Sequence, residues 1–559
     1  MSSVSRAFPA AALAALVAAA CQRTPPPGGE TAPAPQPARS GRGPGVAGDP
    51  TLPDELAPKA AATASGASQP DAAPPEHKGP WFVVTTAAAG VYRQPSFDKN
   101  AKIGYVRSGG KVGVKAETVS KESCSSGWYE LVQGGYVCGN LGTTDLTHPQ
   151  VKFALKRPDL DEVLPYTYAR NAKNGTPLYK SVPSREQMYQ YEPYLPSAKR
   201  AKKEEQERRE QATGDVPGDV TPASTDPDAG VVASSDSGVA IVGDGAAEAS
   251  KKPWWQREDA KDGLHEVTLE ELAAEGDDIL AKRMVTGFYV AVDKTFRWND
   301  RTWYKTTRGL VAPADRFWQT AGSKFKGVEL GTDYKLPVAW VYGGRKTAPT
   351  YEIEGDAAPK SAKSLEAFTA IQLTGRDKEV AKTRYLETKD GTWIKAMHVR
   401  VTAPGAPPKD LAPSEKWVDV NLSTQTLVAF QGTTPVYATL VSSGKQSSVK
   451  DKDHRTPKGE WRIREKHVTT TMDGNGTAAG DLPYSIEDVP YVMYYFNSYA
   501  VHAAFWHRNY GIQMSHGCVN LSPLDAKHVF FFTDPPVPDG FHGVWSSAQQ
   551  PGSRVVIHD

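Results

Sequence analysis

The chain has 559 residues, of which 39% are hydrophobic and 23% charged, so it exceeds one domain and has room for three or four. Its 65 Lys and Arg against 64 Asp and Glu leave a formal charge of +1, which excludes the global basic field of a nucleic-acid binder. The 49 Gly and 44 Pro imply long stretches that build no core, while 13 Trp and 23 Tyr demand a globular remainder.

The apolar run that starts at Phe8 is about thirteen residues long, too short for the roughly 20 that span a bilayer. Arg6 precedes it and Ala18-Ala19-Ala20 follow, which predicts a secretory leader over 1–21. Cys21 after three alanines resembles a bacterial lipoprotein box, with Ala18 where Leu is commoner. The resemblance implies that Cys21 is lipidated; the alternative is ordinary cleavage with an incidental cysteine. Gln22 rather than Asp after it points, by analogy with enteric bacteria, to a periplasmic protein held at the outer rather than the inner membrane. Residues 22–80 (TPPPGG, APAPQPA, GPGVAGDP) carry almost no large apolar side chain and are expected to form a disordered tether. As a coil it reaches on the order of 40–45 Å.

Four cysteines in an exported chain invite pairing. Cys124 and Cys138 sit in one strand-rich stretch and can close a small loop, worth up to about 3 kcal/mol in the chain-entropy picture. With Cys21 consumed by lipid, Cys518 is left without a partner, either an accident or a nucleophile.

Residues 81–148 read as short strands (WFVVTTA, KIGYV, KVGVKAETV, GWYELV, GGYVCG), with Gln133-Gly134 as a hairpin turn. VYRQPS and GWYELVQGGYVCGNL resemble the opening and closing elements of a bacterial SH3 domain. LYKSVPS (178–184) parallels VYRQPS (91–96). RTWYKTTRGLVAPADRF (301–317) and, more loosely, GTWIKAMHVRV (391–401) parallel the closing hairpin. Repeated SH3-like β-barrel modules are therefore expected across 149–410, interrupted by a disordered insertion at about 197–262 that opens with the charged run KRAKKEEQERRE. Such modules bind peptides or cell wall, or serve as spacers.

From Lys416 onward, WVDVNL places Val418, Val420 and Leu422 on one face of a strand, and TLVAF, VYATLVSSG and RTPKGEWRI follow after short turns. An all-β sandwich or open barrel is expected, making the whole chain mainly β. Farther on stand His502 and then Ser515-His516-Gly517-Cys518-Val519-Asn520. With SSGK and TPKGEW upstream, this constellation resembles the YkuD-type L,D-transpeptidase catalytic domain over 416–559; the interval from His502 to Ser515 is slightly shorter than in some members.

A cysteine near its ordinary pKa of about 8.5 needs a basic neighbour to act as a thiolate. His502, arriving at a strand end, and His516, two residues away, are the candidates. The resemblance implies that Cys518 is the nucleophile and His502 the base, its other ring nitrogen turned to a backbone carbonyl, that of Ala503. His516 then supports the loop or substrate, with Ser515 and Asn520 in the same loop. Gly517 lets the backbone approach closely, so the amides of Gly517 and Cys518 are oxyanion donors. Ser522-Pro523-Leu524-Asp525 predicts a helix start: serine caps, proline fits the first turn, aspartate returns a hydrogen bond.

A buried structural cysteine beside a core histidine is the bland alternative. Zinc on His502, His507, His516 and Cys518 lacks supporting HxxxH or CxxC spacing, so no metal is expected. Trp506, Tyr510 and Tyr494 read as core or rim. The family reaction implies a thioester with a tetrapeptide stem of peptidoglycan, loss of D-Ala, and transfer to an amine on another stem or on a protein. No cofactor is needed, since the thioester conserves the energy of the cleaved amide. With water as acceptor the same chemistry is a carboxypeptidase; a non-catalytic SH3-type wall-binding lipoprotein is the rival in another class.

Overall fold

The computed structural model describes residues 77–197, 203, 255, 267–355, 357–449, 453–474 and 484–559. The expected leader, Cys21, the expected tether up to residue 76 and almost all of the expected insertion lie outside the described residues.

Three small antiparallel units precede the C-terminal domain, and all three follow one pairing plan. In the first, Trp81–Val84 pairs with Lys111–Thr118 and with Gly142–Thr143. Ala88–Tyr92 pairs with Lys102–Arg107 and with Tyr136–Cys138, and Trp128–Leu131 joins Lys111–Thr118 to Tyr136–Cys138. Alternation drives Phe82, Val84, Val112 and Val114 into one core. Gly134 and Gly135, both at positive φ, turn the closing hairpin. Cys124 and Cys138 form a disulfide next to buried Trp128.

The second unit uses Thr167–Asn171, Thr176–Tyr179, Leu280–Met284, Tyr289–Trp298, Arg301–Thr306, Val311–Pro313 and Phe317–Thr320 in the same order and the same pairings. The long sequence excursion therefore falls between the second and third strands of a unit that closes regardless. Its return is marked by Trp255, whose ring lies under the Arg283 guanidinium at 4.2 Å. The third unit repeats the plan with Val338–Val341, Thr347–Glu352, Lys360–Glu366, Ala370–Val380, Thr383–Thr388, Trp393–Lys395 and Val399–Val401. In each unit a 3-10 turn (Gly139–Leu141, Ala314–Arg316, Ala396–His398) precedes the last strand.

The C-terminal domain is a sandwich. One sheet runs Val328–Glu329, Thr434–Leu440, Thr426–Gln431, Lys416–Asn421, Arg554–His558, Gly459–Arg462. The other contains Gly543–Trp545, Glu465–Gly474, Tyr484–Phe496, Tyr499–Ala503 and Val519–Leu521. Val418, Val420 and Leu427 from the first sheet meet Met493, Val501 and Val519 from the second, and the helix Pro523–Phe532 adds Val529 and Phe530. Lys466 is buried beneath that helix and donates to the carbonyls of Phe530 (2.5 Å), Thr533 (2.6 Å) and Pro535 (3.0 Å), groups the helix end cannot satisfy itself.

The domain borrows strands from both sides. Val328–Glu329, which precedes the third unit, extends the first sheet along Tyr437 and Ala438, and Gly104–Tyr105 of the first unit pairs with Gly543–Val544 of the second sheet. Asp488 joins three parts. Its carboxylate accepts from Arg107 of the first unit (2.5 Å), from Thr307 of the second, and from Thr469 (2.9 Å), while its carbonyl accepts from the Tyr168 hydroxyl (2.5 Å).

Candidate active site

Tyr499–Ala503 and Val519–Leu521 run parallel, with His502 opposite Asn520. Val501, Ala503, Val519 and Leu521 point into the sandwich, which sends Ala500, His502, Cys518 and Asn520 to the other face. That face is not open sheet. Leu164, Tyr166, Tyr168 and Tyr289 of the second unit pack over it with Val489, Val492, Ala500 and Phe505, and Cys518 and Trp506 lie against the same cluster. Tyr168 and Phe505 have ring centroids 4.2 Å apart, Phe505 and Trp506 5.1 Å, and Trp506 and His502 5.9 Å. A module residue thus braces the segment that carries the histidine.

Cys518 is the free cysteine among the described residues and is half-buried. Its Sγ lies 3.9 Å from the Ser498 carbonyl oxygen, toward which the thiol donates. Burial pushes the thiol up to about 11, against the pull of the Ala500 backbone N–H. His502 Nδ1 is 2.9 Å from the Ala503 carbonyl oxygen, so Nδ1 carries the proton and Nε2 keeps the lone pair. Burial lowers this imidazole to about 4, the Ala503 carbonyl acting the other way. The resting pair is therefore neutral thiol and neutral imidazole. Moving the proton from sulfur to Nε2 is strongly uphill until an acyl carbonyl arrives to take up the charge, so deprotonation and attack belong to one step.

This has a direct consequence. Alkylation of Cys518 by iodoacetamide is expected to rise about tenfold per pH unit from pH 6 to 9, because the thiolate is a growing minority throughout. A plateau beginning below pH 7 would instead reveal a preformed thiolate.

Ser515 closes the nucleophile loop. Its Oγ donates to the Cys518 carbonyl (2.5 Å) and accepts from the Gly517 N–H (3.1 Å). Gly517 sits at φ +119°, and a Cβ there would meet Tyr499 Cε1 at 2.4 Å, so both conformation and space require glycine. The SSGK segment holds the loop from behind: Met514 and Ser515 N–H donate to the Ser443 carbonyl, and Lys445 N–H to that of Ser515. One expectation is corrected here. Gly517 cannot serve as an oxyanion donor in this arrangement, because Ser515 already takes its N–H; the Cys518 N–H has no partner among the described residues.

His516 is exposed, stacked on Tyr484 at 5.3 Å and 5.0 Å from His454, at the rim of the site. Asn520 is buried, and its amide lies 3.1 Å from His507 Nε2. Nothing in the sequence pattern assigns His507 a role beyond a rejected metal set, since its distance from Asn520 along the chain leaves no periodic signal. Tyr510, read as core or rim, is fully buried and donates to the Ala504 carbonyl at 2.8 Å, fixing the turn after His502. Among the described residues no three of His, Cys, Asp or Glu are grouped to hold a metal ion.

Behind the loop, Ser522 Oγ accepts from the Asp525 N–H (3.1 Å) and Pro523 opens the helix. The expected return bond takes another route. Asp525 accepts from the Ser522 hydroxyl (2.8 Å), Tyr437 (2.6 Å), Thr439 (2.6 Å) and the Gly327 N–H (2.7 Å), so the acid stitches the helix start to the opposite sheet.

Fold and site together define a mainly β protein whose C-terminal sandwich places an unpaired cysteine on the same sheet face as a carbonyl-oriented histidine. Residues 415–557 match the YkuD family model, described as the L,D-transpeptidase catalytic domain. No curated protein matches. Similar solved structures include an Enterococcus faecium L,D-transpeptidase mutant (23% identity, TM-score 0.20, 26% of this chain and 50% of that one). An L,D-transpeptidase from Mycobacterium smegmatis is 16% identical, with TM-score 0.21, over 34% and 82% of the two chains. The E. faecium catalytic domain acylated by ertapenem is 22% identical, with TM-score 0.20, over 26% and 98%. The match thus spans half the length of the first of these structures.

Proposed function

We propose that the protein is an exported peptidoglycan L,D-transpeptidase, anchored through lipidated Cys21 and carrying three SH3-like units ahead of its catalytic domain. The observation that carries the reading is the unpaired Cys518 on the same sheet face as His502, whose Nδ1 is held by Ala503, within the domain that matches the family. The common pairing plan of the three units supports the modular part.

In the first half-reaction Cys518 Sγ attacks the carbonyl of the third residue of a tetrapeptide stem while His502 Nε2 takes the thiol proton. The C–N bond to the terminal D-Ala breaks, its nitrogen receives that proton, and D-Ala leaves a thioester. An amine from a second stem then attacks the thioester, its proton passes through Nε2 to the departing sulfur, and a cross-link between two third-position residues forms. The packed aromatic face over the site favours an amine over water by restricting solvent.

The test is incubation with a disaccharide tetrapeptide, followed by mass spectrometry of the products. Free D-Ala together with a cross-linked dimer is the expected result. D-Ala with hydrolysed stem and no dimer would make the enzyme a carboxypeptidase, and neither product would leave the wall-binding reading in its place.

A further inference from the structure

The sheet of the second unit has two faces, and alternation assigns its side chains to them. Ala169, Val290 and Phe317 point into the unit's own core. Tyr168, Arg170, Tyr289, Ala291 and Trp318 therefore share the outer face. Tyr168, Tyr289 and Ala291 pack against the catalytic domain. Arg170 and Trp318 lie on the same face beyond that contact. In register, Trp318 stands opposite Arg170, Arg170 opposite Tyr289, and Tyr289 beside Ile486 of the catalytic sheet. Side chains opposed across an antiparallel pair have Cβ atoms roughly 5 Å apart.

This row runs on to the candidate active site. The Tyr289 ring meets Phe505 edge-on at 5.4 Å, Phe505 meets Trp506 at 5.1 Å, and Trp506 lies 5.9 Å from His502. At its far end the row is open. Trp318 is 62% exposed. Among the described residues the half-buried Arg170 guanidinium has neither a hydrogen bond nor an ion pair. A Cβ on Gly287 would meet, beyond its chain neighbours, only Arg170 Nη2, at 3.9 Å. A single exposed tryptophan needs no explanation. An exposed indole beside an unpaired guanidinium, on a face continuous with the site, offers a ligand both an apolar plane and a charge.

We propose that Trp318 and Arg170 form a subsite for the saccharide-bearing end of the peptidoglycan stem whose acyl group Cys518 takes. The inference rests on the transpeptidase reading and names where that donor is gripped away from the reacting bond. The indole plane packs against the C–H face of a sugar ring, and the guanidinium takes a carboxylate of the stem. Charge complementarity selects this occupant: peptidoglycan stems carry free carboxylates, and Arg170 is a cation without a counter-ion among the described residues. Binding there holds the stem in place without touching the thiol.

Steady-state release of D-Ala by the full chain tests this with two donors, a disaccharide tetrapeptide and the same tetrapeptide without sugar. Trp318→Ala is expected to raise KM for the disaccharide donor about three- to tenfold with kcat kept, and to leave no mark on the sugar-free donor, which does not reach the indole. Arg170→Gln should raise KM for both donors by about tenfold, since the carboxylate is common to them. Trp298→Ala is the control. That tryptophan is 52% exposed but closes the ten-residue strand that begins at Tyr289, roughly 30 Å away, so its KM should match the parent's. Uptake of one carbapenem by each variant, read by intact mass, shows that fold and thiol survive. Parent-like KM for the disaccharide donor in both Trp318→Ala and Arg170→Gln overturns the proposal while leaving the function reading standing. An equal rise for both donors in Trp318→Ala also overturns it, because the indole would then act through packing. A folded parent that takes neither carbapenem nor stem overturns both readings.

Discussion

Replacing His502 with Gln is expected to slow acylation of Cys518 by about 10²–10⁴-fold, the range general base catalysis supplies, with the fold retained. The glutamine cannot take the thiol proton, and a thiol held near 11 does not ionise unaided at neutral pH. The pH profile carries the same information. His502 acts only when neutral and is protonated only as pH falls through about 4, so the acylation rate of the parent should be flat through neutrality and drop below about pH 5. In His502→Gln that lower limb should vanish and the residual rate should climb with thiolate. Stopped-flow acylation at a series of pH values measures both. A parent profile with its midpoint near the ordinary histidine value of about 6.5 would contradict the buried, neutral base. The shift also acts on stability: the unfolded chain binds the proton between about pH 6.5 and 4 and the folded chain does not, so stability falls as pH falls through that window.

The second large effect belongs to Asp488. Its carboxyl is fully buried; burial works to raise it, but the Arg107 charge and hydrogen bond outweigh that and hold it below the usual range. Asp488→Ala leaves a mostly buried guanidinium without its counter-charge and strands the Thr307 hydroxyl. Removing one member of a buried ion pair costs about 3–5 kcal/mol. Calorimetry is expected to show a markedly lower Tm, because the carboxylate that ties Arg107 of the first unit and Thr307 of the second to the catalytic domain is gone. A variant that melts within a degree or two of the parent would mean the units are held to the catalytic domain by their other contacts alone.

That coupling was invisible in the sequence for a physical reason. Arg107, Thr307 and Asp488 are far apart along the chain and have no shared periodicity, so only the folded pairing brings them together. Local patterns were legible where alternation is strict. WVDVNL places Val418 and Val420 in the core as read, and the turn at Gln133-Gly134 and the pairing of Cys124 with Cys138 follow from short-range geometry. The third unit was harder to see, because the likeness of GTWIKAMHVRV to the closing hairpin covers only its last strands and its first strand lies beyond a segment lent to the catalytic sheet. Within the site, the motif set out Cys518, His502 and Gly517. It did not reveal that Ser515 occupies the Gly517 amide or that His507 reaches Asn520, since both depend on which way hydrogen bonds run.

One measurement addresses the central claim most directly: intact-protein mass spectrometry of the chain and of its Cys518→Ala variant after incubation with a carbapenem, a mimic of the family's acyl donor. A single covalent adduct on the parent and none on the variant is the predicted result, and it would place a reactive, acyl-accepting thiol at Cys518. A correctly folded parent that gains no mass would contradict the catalytic account.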